Sequence, residues 1–135
     1  MKLLLDTCVF NEKPLFSYFK KIDSTKIQLY INSIIYLELG YIYFIRQKWK
    51  LFTMMLKSLK IGNENISKSI AERAIRAAIT FKDSDKGASY YFRDCLIGAT
   101  AEIHKMLLIT RNIGDFIWLP EGCCLKPDQL LKKLK

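Results

Sequence analysis

The stretch Met1-Lys2-Leu3-Leu4-Leu5-Asp6-Thr7 decides how this chain is read. Its three consecutive leucines are too few for a helix and do not alternate with polar residues, so they suit a short strand buried on both faces. A carboxylate placed directly after such a strand is costly to desolvate unless a cation, hydrogen bonds or a raised pKa compensates it. Three more acids stand in similarly apolar surroundings. Glu38 interrupts residues 34–44, Asp94 follows Tyr90-Tyr91-Phe92-Arg93, and Asp115 precedes Phe116-Ile117-Trp118. Four such carboxylates, if they converge, call for a metal, and hard oxygen donors select Mg²⁺ or Mn²⁺.

Composition narrows the class. At 135 residues and 50% hydrophobic, the sequence reads as a single domain, residues 1–135, with one active site at most. The formal charge of +9 favours a polyanionic partner such as nucleic acid. Cys8, Cys95, Cys123 and Cys124 lack C-x-x-C spacing, which argues against a zinc site or a local disulfide and for reduced thiols. Three leucines before Asp6 do not make a signal-peptide core. The longest nearly apolar stretch, 33–45, carries Glu38 and is shorter than the ~20 residues of a membrane span. The expectation is a cytoplasmic protein with no membrane partner.

Further short apolar runs at 27–31, 107–109 and 123–125 read as strands. Helices are expected over 15–22, 33–47, 50–60, 66–81, 95–106 and 128–134, with Asn32 or Ser33 and Asn65 as N-caps and Pro127 opening the last helix. Residues 61–65 and 83–87 read as interior loops. The alternation predicts an α/β fold: a three-layer sandwich with a central parallel sheet of about four strands flanked by helices. In such sheets ligands bind outside the carboxyl ends of the strands. Asp6 ends one strand, Asp115 follows another by six residues, Glu38 lies about one and a half turns into the helix after a third, and Asp94 starts a helix. All four are within reach of one edge.

The blocks Leu3-Leu4-Leu5-Asp6-Thr7, Ser33 with Glu38-Leu39, Asp94-Cys95-Leu96-Ile97-Gly98-Ala99-Thr100-Ala101, and Leu108-Ile109-Thr110-Arg111-Asn112 with Asp115-Phe116 together resemble PIN-domain nucleases, especially the VapC-type toxins of toxin–antitoxin pairs. The resemblance runs from residue 3 to residue 116. It implies a PIN-like fold, an acidic pocket holding one or two Mg²⁺ or Mn²⁺ ions, and hydrolysis of RNA phosphodiester bonds. It makes Asp6, Glu38, Asp94 and Asp115 the catalytic and metal-binding acids, with Thr7, Thr110 and Asn112 as supporting polar neighbours. Two positions depart from the family pattern: Cys8 stands where Asn or Ser is frequent, and Tyr36 where the residue is often small and hydroxylated.

Arg111, between Thr110 and Asn112, is a candidate phosphate ligand, because a guanidinium grips phosphate through paired hydrogen bonds. Lys48, Lys50, Lys57, Lys60, Arg73 and Arg76 are candidates for a surface that follows a nucleic-acid backbone. The sole histidine, His104, rules out a ribonuclease built on a histidine acid and a histidine base. Tyr41, Tyr43, Phe44, Trp49, Phe52, Met54 and Met55 divide between core and an association surface, suited to a homodimer or an antitoxin. Two other readings stay open: an RNA-processing PIN nuclease without an antitoxin, and a non-catalytic RNA-binding scaffold of the same fold. A phosphoacceptor of the Asp-x-Asp type is disfavoured because Cys8 occupies the second acidic position.

Overall fold

The computed structural model describes residues 1–135. Five strands form one parallel sheet: β1 (Lys2–Leu5), β2 (Gln28–Asn32), β3 (Gly62–Glu64), β4 (Leu107–Ile109) and β5 (Cys124–Leu125). Their order is β3-β2-β1-β4-β5, so β1 is the central strand. Leu3, Leu4 and Leu5 are fully buried, which is why that strand is uniformly apolar rather than alternating. Register pairs Leu4 with Tyr30 on one side and with Leu108 on the other. Chain direction reverses its march across the sheet at β1, and this switch point opens a crevice beyond the end of the strand, at Asp6.

Six helices flank the sheet: α1 (Lys13–Lys21), α2 (Ser33–Ile45), α3 (Trp49–Ser58), α4 (Lys68–Ile79), α5 (Phe92–Ile103) and α6 (Pro127–Leu134). The α/β architecture is the expected one, with a fifth strand added. That strand, β3, occupies part of the expected loop at 61–65. Gly-Asn-Glu has little intrinsic strand preference, and it is held at the sheet edge by backbone pairing to residues 30–32. Because these residues are used in the sheet, α4 starts later than its pattern suggests, and its cap is Ser67 rather than Asn65. The Ser67 hydroxyl accepts from the Ile70 N–H at 3.2 Å.

Two joints set where the acidic side chains can reach. β2 runs into α2 without a loop, since buried Asn32 is both the last strand residue and the N-cap, its side chain accepting from the Ile35 N–H at 3.0 Å. The Asn32 amide donates to Thr100 Oγ1 on α5 at 3.1 Å, tying the start of α2 to that helix. The second joint is α5, which begins three residues earlier than expected, at Phe92, and so carries Asp94 inside its first turn rather than as a cap.

Gly98 on α5 makes room for Trp118. A Cβ at Gly98 would lie 2.5 Å from Trp118 Cζ2 and 3.3 Å from Phe116 Cδ1. Trp118 is also contacted by the Arg73 guanidinium, 4.9 Å from the ring centroid. Gly98→Ala should therefore lower stability by about 1–3 kcal/mol, because overpacking exceeds the gain in helix propensity. Chemical denaturation monitored by tryptophan fluorescence measures this, and a wild-type midpoint would show that the indole moves aside freely.

Candidate active site

Asp6 leaves the carboxyl end of β1 and is almost completely buried. Its Oδ1 accepts from the Thr7 N–H at 2.7 Å, capping the short 3-10 helix Thr7–Asn11, and its Oδ2 accepts from Thr110 Oγ1 at 2.8 Å. Thr110 directly follows β4 and is itself fully buried, so the two central strands hold this carboxylate between them. Cys8 Sγ lies 3.7 Å from Asp6 Oδ2 and 3.6 Å from Thr110 Oγ1, a weak sulfur contact to the same acid. Burial pushes the Cys8 thiol pKa up, with the Asp6 charge adding to the effect.

Glu38 projects from α2 toward Asp6. Thr7 Oγ1 donates to Glu38 Oε1 at 2.6 Å, so Thr7 links the first two acids through its N–H and its hydroxyl. Asp94 comes from the first turn of α5, where backbone N–H groups and the helix dipole favour a negative charge.

The structure adds a residue that the sequence did not single out. Arg93 reaches all three of these carboxylates. Its Nη2 donates to Asp6 Oδ1 at 2.9 Å and to Glu38 Oε1 at 2.8 Å, its Nε to Glu38 Oε2 at 2.6 Å, and its Nη1 to Asp94 Oδ1 at 2.6 Å. These contacts set the local titration. Burial pushes the Glu38 carboxyl up, but hydrogen bonds from Arg93 and Thr7 outweigh it and leave the group below its ordinary value. Asp94 is shifted upward instead, chiefly by burial, with Asp115 and Asp6 adding like charge that the Arg93 contact only partly offsets. Burial opposes the Arg93 charge, yet Glu38 and Asp6 hold the guanidinium protonated more firmly than a free arginine.

The other sequence candidates take varied places. Asp115 lies in a 3-10 helix, Ile113–Phe116, and is near enough to Asp94 for its charge to be felt, while standing outside the Arg93 fork. Asn112 contributes its backbone N–H to Thr110 Oγ1 at 3.1 Å, and its side chain is exposed. Arg111 is turned to Glu12, with which it forms an ion pair. Arg73 is engaged by Glu102 at 3.0 and 3.2 Å, so it leaves the set of free surface cations, and Glu102 faces this partner rather than open solvent. His104 lies 3.5 Å from Glu64, at the end of β3. Tyr36 packs against Phe52 and Trp49.

Beside the carboxylates runs a groove of about 310 Å³, lined by Thr7, Cys8, Phe10 and Tyr43 and flanked by Arg46 and Lys48. A larger hollow of about 480 Å³ lies near the start of β2, lined by Phe19, Ile27 and Leu59 among others, and has no carboxylate in its lining. The smaller groove has none in its lining either, and it meets the acidic cluster through Thr7 and Cys8, which contact Glu38 and Asp6. Asp6, Glu38 and Asp94 form an all-oxygen donor set of the kind hard divalent ions prefer, already gathered around one positive charge. As they stand, no three acidic, histidine or cysteine side chains enclose an ion among themselves.

The PIN-domain family model matches residues 3–116, the span that holds every one of these side chains. The chain belongs to the PIN-domain family. Among solved structures, this PIN domain is similar to a toxin–antitoxin complex from Klebsiella pneumoniae, at 25% identity and TM-score 0.63, over 93% of this chain and 97% of that one. It shares its fold with VapBC-1 from nontypeable Haemophilus influenzae (17% identity, TM-score 0.70, 95% and 99% coverage). The same holds for VapBC2 from Rickettsia felis bound to a promoter DNA fragment (20% identity, TM-score 0.68, 93% and 98%). A comparison with curated proteins finds no match.

Thr110→Val would leave the buried Asp6 Oδ2 with only the Cys8 sulfur contact on that side. Hydrogen bonds to charged groups contribute about 1.5–3 kcal/mol, so the variant should lose roughly that much stability in urea denaturation. An unchanged midpoint would show that Asp6 is held by Thr7 and Arg93 alone.

Proposed function

We propose that this PIN domain is a metal-dependent endoribonuclease and the toxin of a toxin–antitoxin pair, working in the cytoplasm. The observation that carries the proposal is the convergence of Asp6, Glu38 and Asp94, from three different elements, on a single guanidinium at 2.6–2.9 Å. These acids, with Asp115 beside Asp94, are the residues that would hold Mg²⁺ or Mn²⁺. A bound divalent ion would lower the pKa of a coordinated water and neutralise phosphate charge. Thr7 and Thr110 fix the orientation of the carboxylates they bond, and the Arg46 and Lys48 flank of the groove offers cations to an RNA backbone. The +9 charge draws in such a polyanion. The likeness to toxin–antitoxin complexes supports the toxin role and an antitoxin partner.

Cleavage assays on structured and single-stranded RNA, with Mg²⁺, Mn²⁺ or EDTA, test the enzymatic proposal. Cleavage should require the divalent ion, and Asp6→Asn and Asp94→Asn should each reduce it to background. Because Arg93 already compensates these acids, neither variant is expected to gain stability from relief of like-charge repulsion. Full activity in either variant would refute the site assignment, and metal-dependent binding without cleavage would favour the scaffold reading.

The aromatic and methionine cluster splits as its two helices require. Phe52 is buried, whereas Leu37, Tyr41, Phe44 and Ile45 form an exposed stripe on α2, continued by Trp49, Leu51 and Met54 on α3. Positions 37, 41, 44 and 45 follow helical spacing, so they make one apolar face. We assign this face to a homodimer contact. Sedimentation should show a dimer for the wild type and a monomer for the Leu37→Glu, Phe44→Glu double variant, and a monomeric wild type would remove the assignment.

A further inference from the structure

The Arg93 fork occupies four of the six carboxylate oxygens of Asp6, Glu38 and Asp94. Glu38 Oε1 and Oε2, Asp6 Oδ1 and Asp94 Oδ1 all accept from it. Asp6 Oδ2 is taken from behind by Thr110 and Cys8. Mg²⁺ binds oxygen at about 2.0–2.1 Å, so an ion held by all three acids would have to stand between them, in the space the guanidinium fills. Arg93 is not sealed in, because its side chain is 35% exposed and has a direct route to solvent. The position is also unfavourable for a cation by itself, since Arg93 lies in the first turn of α5, where the helix dipole repels positive charge. Its placement there is explained by the acids it joins.

Resting on the metal-dependent reading of the site, we propose that Arg93 is a built-in cationic plug: it holds the acidic cluster closed and neutralised without metal, and a divalent ion must displace it to bind. Apparent metal affinity is then reduced by the fraction of molecules in which the plug is seated. The same contact keeps the fold independent of metal, because the three carboxylates are compensated in its absence.

The test uses full-length protein, freed of any copurifying partner and stripped with EDTA. The ¹H–¹⁵N resonance of the Arg93 Nε–H group, identified by its loss in Arg93→Lys, is tracked during Mg²⁺ titration. It should leave its Glu38-bonded position as the ion saturates. In calorimetry, Arg93→Gln should bind Mn²⁺ about tenfold or more tightly than wild type. In EDTA it should melt at a lower temperature and recover more than wild type when Mn²⁺ is added. If Arg93→Gln fails to fold, the titration of the wild type and the affinity of Arg93→Lys still decide the question. An Nε–H resonance unmoved at saturating Mg²⁺, or equal Mn²⁺ affinity in wild type and Arg93→Gln, overturns the plug while leaving metal binding intact. Absence of binding in both proteins overturns the metal reading, and the plug with it.

Discussion

Three carboxylates meeting at one guanidinium is the interaction around which the carboxyl end of the central strand is arranged. Asp6 is brought there by the central strand, Glu38 by the helix after β2, and Asp94 by the first turn of α5. Bringing like charges this close in partly dry surroundings opposes folding, and removing one partner from a buried ion pair typically costs about 3–5 kcal/mol. Arg93 resolves that conflict inside the chain. The opposite shifts of Glu38 and Asp94 show that the compensation is uneven: two guanidinium nitrogens reach Glu38, whereas Asp94 has only Nη1 and also feels Asp115.

Around this point the fold acts as a positioning device. The switch in strand order at β1 opens the crevice, and the hydroxyls of Thr7 and Thr110 fix individual carboxylate oxygens. The groove beside it joins apolar Phe10 and Tyr43 to cationic Arg46 and Lys48. On its outer side α2 presents an apolar stripe, and Glu38 stands at the border of that stripe, between it and the buried face of Ile35 and Leu39.

The sheet was legible because short apolar runs without alternation leave few alternatives, and of the four acids expected at one edge, Asp6, Glu38 and Asp94 meet at Arg93 while Asp115 stands outside the fork. Leu3 to Leu5, three apolar residues without alternation, read as a strand buried on both faces, and they are fully buried. β3 was not legible, since Gly62-Asn63-Glu64 is held by its neighbour's backbone rather than by its own preference. Arg93 was hidden for a related reason. Starting α5 at Cys95 places the arginine in a loop, where a cation needs no explanation. Starting it at Phe92 puts a positive charge in the first turn, and that anomaly is the signal that could have revealed its partners. The side chains of Arg111 and Arg73 carry the opposite lesson, because ion pairs with Glu12 and Glu102, distant in sequence, determine where they point.

The flush junction at Asn32 has a consequence for how such a chain can vary. With strand and helix sharing one residue, the angular position of Glu38 about the α2 axis is set by the sheet itself, with no slack to absorb an insertion. One extra residue at that seam would turn every later side chain of the helix by about 100°. Glu38 would swing away from Asp6 as the apolar stripe rotated inward. Length changes should therefore be tolerated in loops such as 83–87 and excluded at the β2–α2 seam, so that the spacing from Asn32 to Glu38 behaves as a fixed ruler within a molecule whose outline is free to drift.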